Sequence, residues 1–185
     1  MAWQIDNAHS EITFKVRHLM ISSVSGSFSR FKALVDFDEN KLEAAQIAVE
    51  IDPASITTYN ADRDNHLKTA DFFDVATYPK ITFKSTDIVM AGHRKGYVTG
   101  NLTMHGVTQL VTLDVEYLGK MKNPASGATA AVFTAATKII RKDWDLAWNI
   151  ALEAGGVMVG EEVSINIVLE LVQVAQPEVA EHAAV

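Results

Sequence analysis

Four histidines, His9, His18, His66 and His105, are the side chains of this sequence best suited to chemistry, and Asp62 and Asp64 lie close in sequence to the third. Imidazole and carboxylate together ligate metals or move protons. Their spacing argues against both, because no HExxH, HxH or other compact ligand pair sets two of them on one face of one element. No catalytic or structural metal and no cofactor is expected, and each histidine reads first as a hydrogen-bonding partner of a nearby loop. Ser10 follows His9, and Ser55 follows an Asp52-Pro53 turn. Neither has the strained strand-to-helix elbow that presents an attacking hydroxyl, so both are read as cap or turn residues and no catalytic residue is assigned. The chain has no cysteine, which excludes thiol nucleophiles, thiolate metal sites and disulfides. Gly96 with Gly100, and Gly155-Gly156 with Gly160, lack the spacing of a phosphate-binding loop. Arg63-Asp64 admits two readings. One is a structural network of ion pairs and caps; the other is a polar anchor for a ligand head group, since guanidinium suits phosphate and carboxylate.

The elements that must position these groups belong to one domain's worth of chain. Of 185 residues, 48% are hydrophobic and only 21% charged, enough to build a core without metal or disulfide support. Sixteen basic against 23 acidic residues leave a net charge of −7, with a pI near 5.3. Without a clustered basic surface, neither nucleic acid nor an anionic membrane surface is an expected partner. No apolar run approaches the ~18 residues of a membrane span. Met1 to Asp6 shows no basic or apolar leader, so the expected location is the cytoplasm, although a processed periplasmic form would begin in the same way.

Most of the sequence alternates with a period of two. Ile12, Phe14 and Val16 face one way while Glu11, Thr13, Lys15 and Arg17 face the other. Ile47 to Ile51, Ile81 to Phe83, Val111 to Tyr117 and Val163 to Leu171 follow the same rule, and less regular strands are expected over 24–37, 96–104 and 130–140. The step of three between Phe28 and Phe31 predicts a bulge near Ser29-Arg30. Eight antiparallel strands result, as a barrel in preference to a sandwich, because closure removes exposed edges. Residues 60–70 break the alternation and begin with a capping residue, predicting a short helix, with Leu67, Phe72 and Phe73 docking this region onto the barrel. Residues 141–160 predict a flap near one mouth. Periodicity alone leaves open whether the interior is filled or hollow.

A longer pattern runs through these elements. Trp3-x-Ile5-Asp6-x-x-His9-Ser10-x-Ile12-x-Phe14-x-Val16-x-His18 is followed by Gly26-x-Phe28-x-x-Phe31, Arg63-Asp64-x-His66-Leu67, Asp71-Phe72-Phe73-Asp74 and Tyr78-Pro79-x-Ile81-x-Phe83-x-Ser85. Gly100-x-Leu102-x-x-His105-Gly106-Val107-Thr108 and Ile140-Arg141-x-Asp143-Trp144 complete it. Together these resemble the YceI-like family of lipocalin-like, polyisoprenoid-binding proteins, from Trp3 to Leu171. Trp144-Asp145 departs from that family's usual Phe or Tyr followed by Gly, which predicts an altered flap. The resemblance implies an extended, lipocalin-like antiparallel barrel, often in a homodimer; with the strands that alternation supplies this is an all-β, eight-stranded barrel over 1–174, and the patternless run at the end predicts a flexible tail over 175–185. It implies an elongated apolar cavity holding an isoprenoid or related amphiphile: a polyisoprenoid, a quinone precursor or a fatty-acid-like chain. The expected lining is Phe14, Val16, Phe28, Phe31, Phe83, Val111, Leu113, Ile165 and Ile167, under Leu67, Phe72, Phe73 and Trp144, with Arg63, His66 or Arg141 at the polar head. The expected role is non-catalytic carriage. The alternatives are a metal- or histidine-dependent enzyme acting on a lipid-like substrate and a filled-core, stress-associated interaction module.

Overall fold

A computed structural model describes residues 2–124 and 127–174; the expected tail, 175–185, lies outside the described residues. Eleven strands form one antiparallel sheet: β1 (Ala2–Ile5), β2 (Glu11–His18), β3 (Ser22–Phe28), β4 (Phe31–Asp36), β5 (Gln46–Ile51), β6 (Ile56–Thr57), β7 (Ile81–Met90), β8 (Lys95–Met104), β9 (Val107–Lys122), β10 (Thr129–Ile140) and β11 (Val159–Val174). One helix, α1 (Ala61–Leu67), falls where alternation fails, and its N-cap Asn60 accepts a hydrogen bond from the Arg63 N–H at 3.0 Å.

Three more strands are present than the alternation predicts, for local reasons. The order of pairing runs β4-β5-β7-β8-β9-β10-β11-β2-β3-β6. Its first strand and its next-to-last, β4 and β3, are halves of one stretch of chain, broken at Ser29-Arg30. Inward-facing positions accordingly change parity, from even at Gly26 and Phe28 to odd at Phe31 and Ala33. The first half pairs with β2 (Phe14 opposite Gly26), the second with β5 (Phe31 opposite Ile51). A sheet whose two ends are consecutive in the chain is rolled into a barrel with its seam at that corner. The seam is bonded: the Arg30 N–H donates to Ser55 Oγ at 3.0 Å, and the Arg30 guanidinium pairs with Asp52 at 2.7 Å. β6 continues β5 past a 3-10 turn at Pro53–Ser55, and β1 pairs with the end of β11 while lying beside β4. With β3 joined to β4, β5 joined to β6 and β1 set aside as a patch, the barrel wall is the expected eight strands.

Two further bulges reset the inward face. Ser85 pairs with Gly100 but Asp87 with Thr99, so Thr86 is the extra residue of β7, and the lumen-facing set passes from Ile81 and Phe83 to Ile88 and Met90. Between β9 and β10, Leu118 is the extra residue, which leaves Tyr117 and Phe133 stacked at 4.9 Å. His105 and Gly106 both have positive φ, +51° and +75°, and form the tight two-residue turn that joins β8 to β9.

Candidate functional site

The inward faces of the strands do not close on each other. They enclose two apolar cavities, of about 180 Å³ and about 130 Å³. The larger lies toward α1 and is here termed the helix lobe; the smaller lies toward the β7–β8 turn and is the hairpin lobe. Five residues border both: Ile12, Val49, Phe83, Leu113 and Ile167. They come from five different strands and form a waist.

On β11 the linings of the two lobes together run from Val159 to Leu169, a span of roughly 20–25 Å at ~3.3 Å per residue and ~40° of strand tilt. Aromatic rings shape these linings. Phe14 packs on Phe28 at 5.6 Å and Phe28 on Phe73 at 5.9 Å, which ties the segment after α1 into the helix lobe. Phe83 keeps its place at the waist because Gly100 stands across the ladder: a Cβ at Gly100 would lie 2.5 Å from the Phe83 ring.

Of the thirteen apolar residues expected to line a cavity, all but Trp144 do so. Phe14, Val16, Phe28, Leu67, Phe72, Phe73, Val111 and Ile165 border the helix lobe, Phe31 borders the hairpin lobe, and Phe83, Leu113 and Ile167 are in the waist. Trp144 is only 2% exposed and borders neither lobe, packing in one buried cluster with Met104, Ile139 and Leu146 of the helix-lobe lining. Its indole N–H donates to the Leu102 carbonyl at 3.0 Å, a bond that fixes the ring within the wall.

The expected polar groups separate. Arg63 and His66 line neither lobe. The Arg63 Nε donates to Thr58 Oγ1 at 2.7 Å and its terminal nitrogen to the Thr58 carbonyl at 2.9 Å, while Asp64 accepts from the Thr58 N–H at 2.8 Å. This network fastens α1 to β6, the structural alternative for the Arg63-Asp64 pair. His66 Nε2 bonds Asp71 at 2.7 Å, and its ring meets Phe72 and Trp148 edge-on. Arg141 does border the helix lobe and is 4% exposed. Its nitrogens donate to the carbonyls of Gly160 at 2.9 Å, Val159 at 3.4 Å and Leu146. Burial pulls its pKa down, opposed by the charge of Glu161. Arg141 thus ties the two ends of the flap to the barrel.

The groups weighed for catalysis are engaged by neighbouring groups of the fold. His105 Nδ1 bonds the Trp144 carbonyl at 3.1 Å, and Ser10 Oγ accepts the Glu170 N–H at 2.9 Å. His9 Nδ1 bonds Asp6 at 3.0 Å, which raises the His9 pKa and lowers that of Asp6. Asp6, His9 and Glu170 bring ligand atoms within 4.8 Å of one another at the surface of the β1–β2 turn, outside the lining of both lobes.

Sequence reasoning missed most of the hairpin lobe: Ala33, Val35, Ile88, Met90, Val98 and Phe133 among others. It also missed Arg94, the charged residue at that end.

A family model for the YceI-like domain matches residues 3–171. The chain belongs to the YceI-like family. Its barrel resembles relatives along most of its length. A UPF0312 protein of Staphylococcus epidermidis is 40% identical over 164 residues, 89% of this chain and 93% of the relative. The crystal structure of Burkholderia cenocepacia BcnA superposes with a TM-score of 0.76 at 28% identity, covering 92% of this YceI-like chain and 99% of BcnA. A polyisoprenoid binding domain from Saccharophagus degradans, 16% identical, gives a TM-score of 0.65 over 92% of this chain and 98% of its own, a likeness of fold. Asp145, where the family pattern has glycine, takes the left-handed conformation, φ +58° and ψ +16°, that favours glycine there.

Proposed function

We propose that this YceI-like chain is a non-catalytic binding and carrier protein for an isoprenoid or related amphiphilic lipid held in the barrel. The observation that carries the reading is the pair of apolar lobes meeting at a shared waist along the barrel. At ~1.25 Å of advance per C–C bond, a span of roughly 20–25 Å matches a linear chain of about 16–20 carbons. Dry apolar cavities of ~150 Å³ already take up apolar guests. Membership of the family and the fold shared with a polyisoprenoid binding domain support the same class of ligand. Carriage in place of catalysis is supported by the commitment of Ser10, Arg63, His105 and Arg141 to neighbouring groups of the fold. A homodimer is part of this reading.

Native mass spectrometry of the purified chain, with organic extraction, tests it. A co-purifying lipid is expected, and adding prenyl alcohols or quinone-like lipids at 100 times Kd should stabilise the fold by about 2.7 kcal/mol. A chain that emerges empty and gains no stability from such lipids refutes the reading.

A further inference from the structure

Resting on that binding reading, we propose that the ligand's head is an oxyanion, a carboxylate or phosphate, and that it sits at the β7–β8 turn against Arg94 rather than beneath α1 and the flap. Each lobe is bordered by a single charged residue, Arg141 for the helix lobe and Arg94 for the hairpin lobe. The two are in opposite states. Arg141 is buried and its nitrogens are committed to three backbone carbonyls. An anion there would have to displace flap contacts. Arg94 is exposed and carries one long bond, to the Leu118 carbonyl at 3.4 Å, with no carboxylate partner among the described residues. Its guanidinium has a planar fork of donors to offer, the geometry that grips carboxylate and phosphate.

The neighbouring acids do not compete for it. Glu39 pairs with Lys120, and Glu116 lies 3.6 Å from Lys95. Tyr117, half-buried in the same mouth, shares its surroundings with the Arg94 charge. Placing the head here leaves the tail to run past the waist into the helix lobe, whose lining includes Phe72, Phe73 and the flap residue Leu146. This orientation keeps the charged end in water and the apolar end dry.

Three probes of equal length separate the possibilities: hexadecanoate, hexadecyl phosphate and hexadecanol, titrated at pH 7.5 in low salt. The native chain is expected to bind both anions about tenfold more tightly than the alcohol. Arg94→Gln should abolish that preference while leaving hexadecanol affinity within about twofold, and Arg63→Gln, outside both lobes, should keep it. A preference for carboxylate alone, or phosphate alone, that vanishes in Arg94→Gln upholds the proposal and narrows the head group. Equal affinity for all three probes in the native chain, or a preference that survives Arg94→Gln, overturns the head-group assignment but leaves lipid binding intact. Failure of every probe, the alcohol included, overturns the binding reading and this proposal with it.

Discussion

Leu113 is the position where a single substitution best distinguishes a ligand channel from a loosely packed core. It is 9% exposed, faces inward from β9, and borders both lobes. Leu113→Trp places an indole at the waist. In a filled core such overpacking costs typically ~1–3 kcal/mol. Here about 130 Å³ of empty space on one side and about 180 Å³ on the other can take the extra atoms, so the ligand-free variant should be as stable as the parent or more so. Binding should suffer. A 16-carbon chain stopped at the waist loses contact for about half its length, and eight methylenes at ~0.8 kcal/mol each amount to about 6 kcal/mol gross. Allowing half of that to be offset by ordering and incomplete burial leaves about 3 kcal/mol, or two orders of magnitude in Kd. The assay is a homologous series of C8 to C20 linear alcohols measured by thermal shift and calorimetry on both proteins. For the parent, affinity should climb with length and level off near 16–20 carbons; for Leu113→Trp it should level off near half that length. If both proteins show one common plateau, or if Leu113→Trp unfolds the apo chain, the two-lobed lumen is not where the chain lies.

Three other outcomes follow from the same geometry. Arg141→Met leaves three carbonyls of the flap and β11 without their charged donor, and should lower stability by about 3 kcal/mol in urea unfolding; Arg141→Lys should restore little of it, since an ammonium lacks the planar fork. Asp145→Gly relieves a left-handed residue at φ +58° and should raise stability by roughly 0.5–1 kcal/mol, the gain in backbone strain being partly offset by the entropy of glycine. The His9 pKa is raised above 6.5 by its bond to Asp6, while Asp6 is held below 3.8, first by that bond and then by the Ala8 N–H. The histidine's contribution is therefore complete below about pH 6.5 and lost as pH rises through its folded pKa; the aspartate's is present above about pH 4 and lost on acidification. Proton NMR should find His9 titrating above its ordinary value in the native chain and near it in Asp6→Asn.

Alternation read correctly wherever a strand keeps one register. Ile12, Phe14, Val16, Val111, Leu113, Ile165 and Ile167 all face the lumen as their spacing predicts. It failed where an extra residue shifts parity. The bulge at Thr86 hands the inward face to Ile88 and Met90, and nothing in Lys84-Ser85-Thr86-Asp87 announces which residue is extra. The corner at Ser29-Arg30 did announce itself, through the three-residue step from Phe28 to Phe31, but not that it is the seam of the barrel. That role depends on β3 pairing with β2 and β4 with β5, both of them tertiary facts. Polar residues were harder still. Arg63, Arg94 and Arg141 are alike in sequence, and only their partners tell them apart: a threonine for the first, one distant carbonyl for the second, three carbonyls for the third.

The size of the lobes bears on why the barrel is not simply a poorly filled one. At ~24 cal/mol per Å³ of void, empty lobes of about 130 and 180 Å³ forgo about 3 and 4 kcal/mol, a large part of the ~5–15 kcal/mol by which a domain is stable. Larger side chains would remove much of that deficit. The wall of the hairpin lobe carries Ala33, Ala45 and Ala135, each one substitution from valine, and natural sequences reach such cavity-filling changes readily. Glycine at position 100 is different, because a Cβ there would strike Phe83 and the Lys84 carbonyl. The narrow point of the lumen is therefore held by a steric fit, whereas its wide part is kept open by small residues that packing alone does not require. A barrel that fixes its waist and leaves its lobes empty has the shape of a mould, and an apolar chain that occupies it supplies on binding the contacts that the wall lacks.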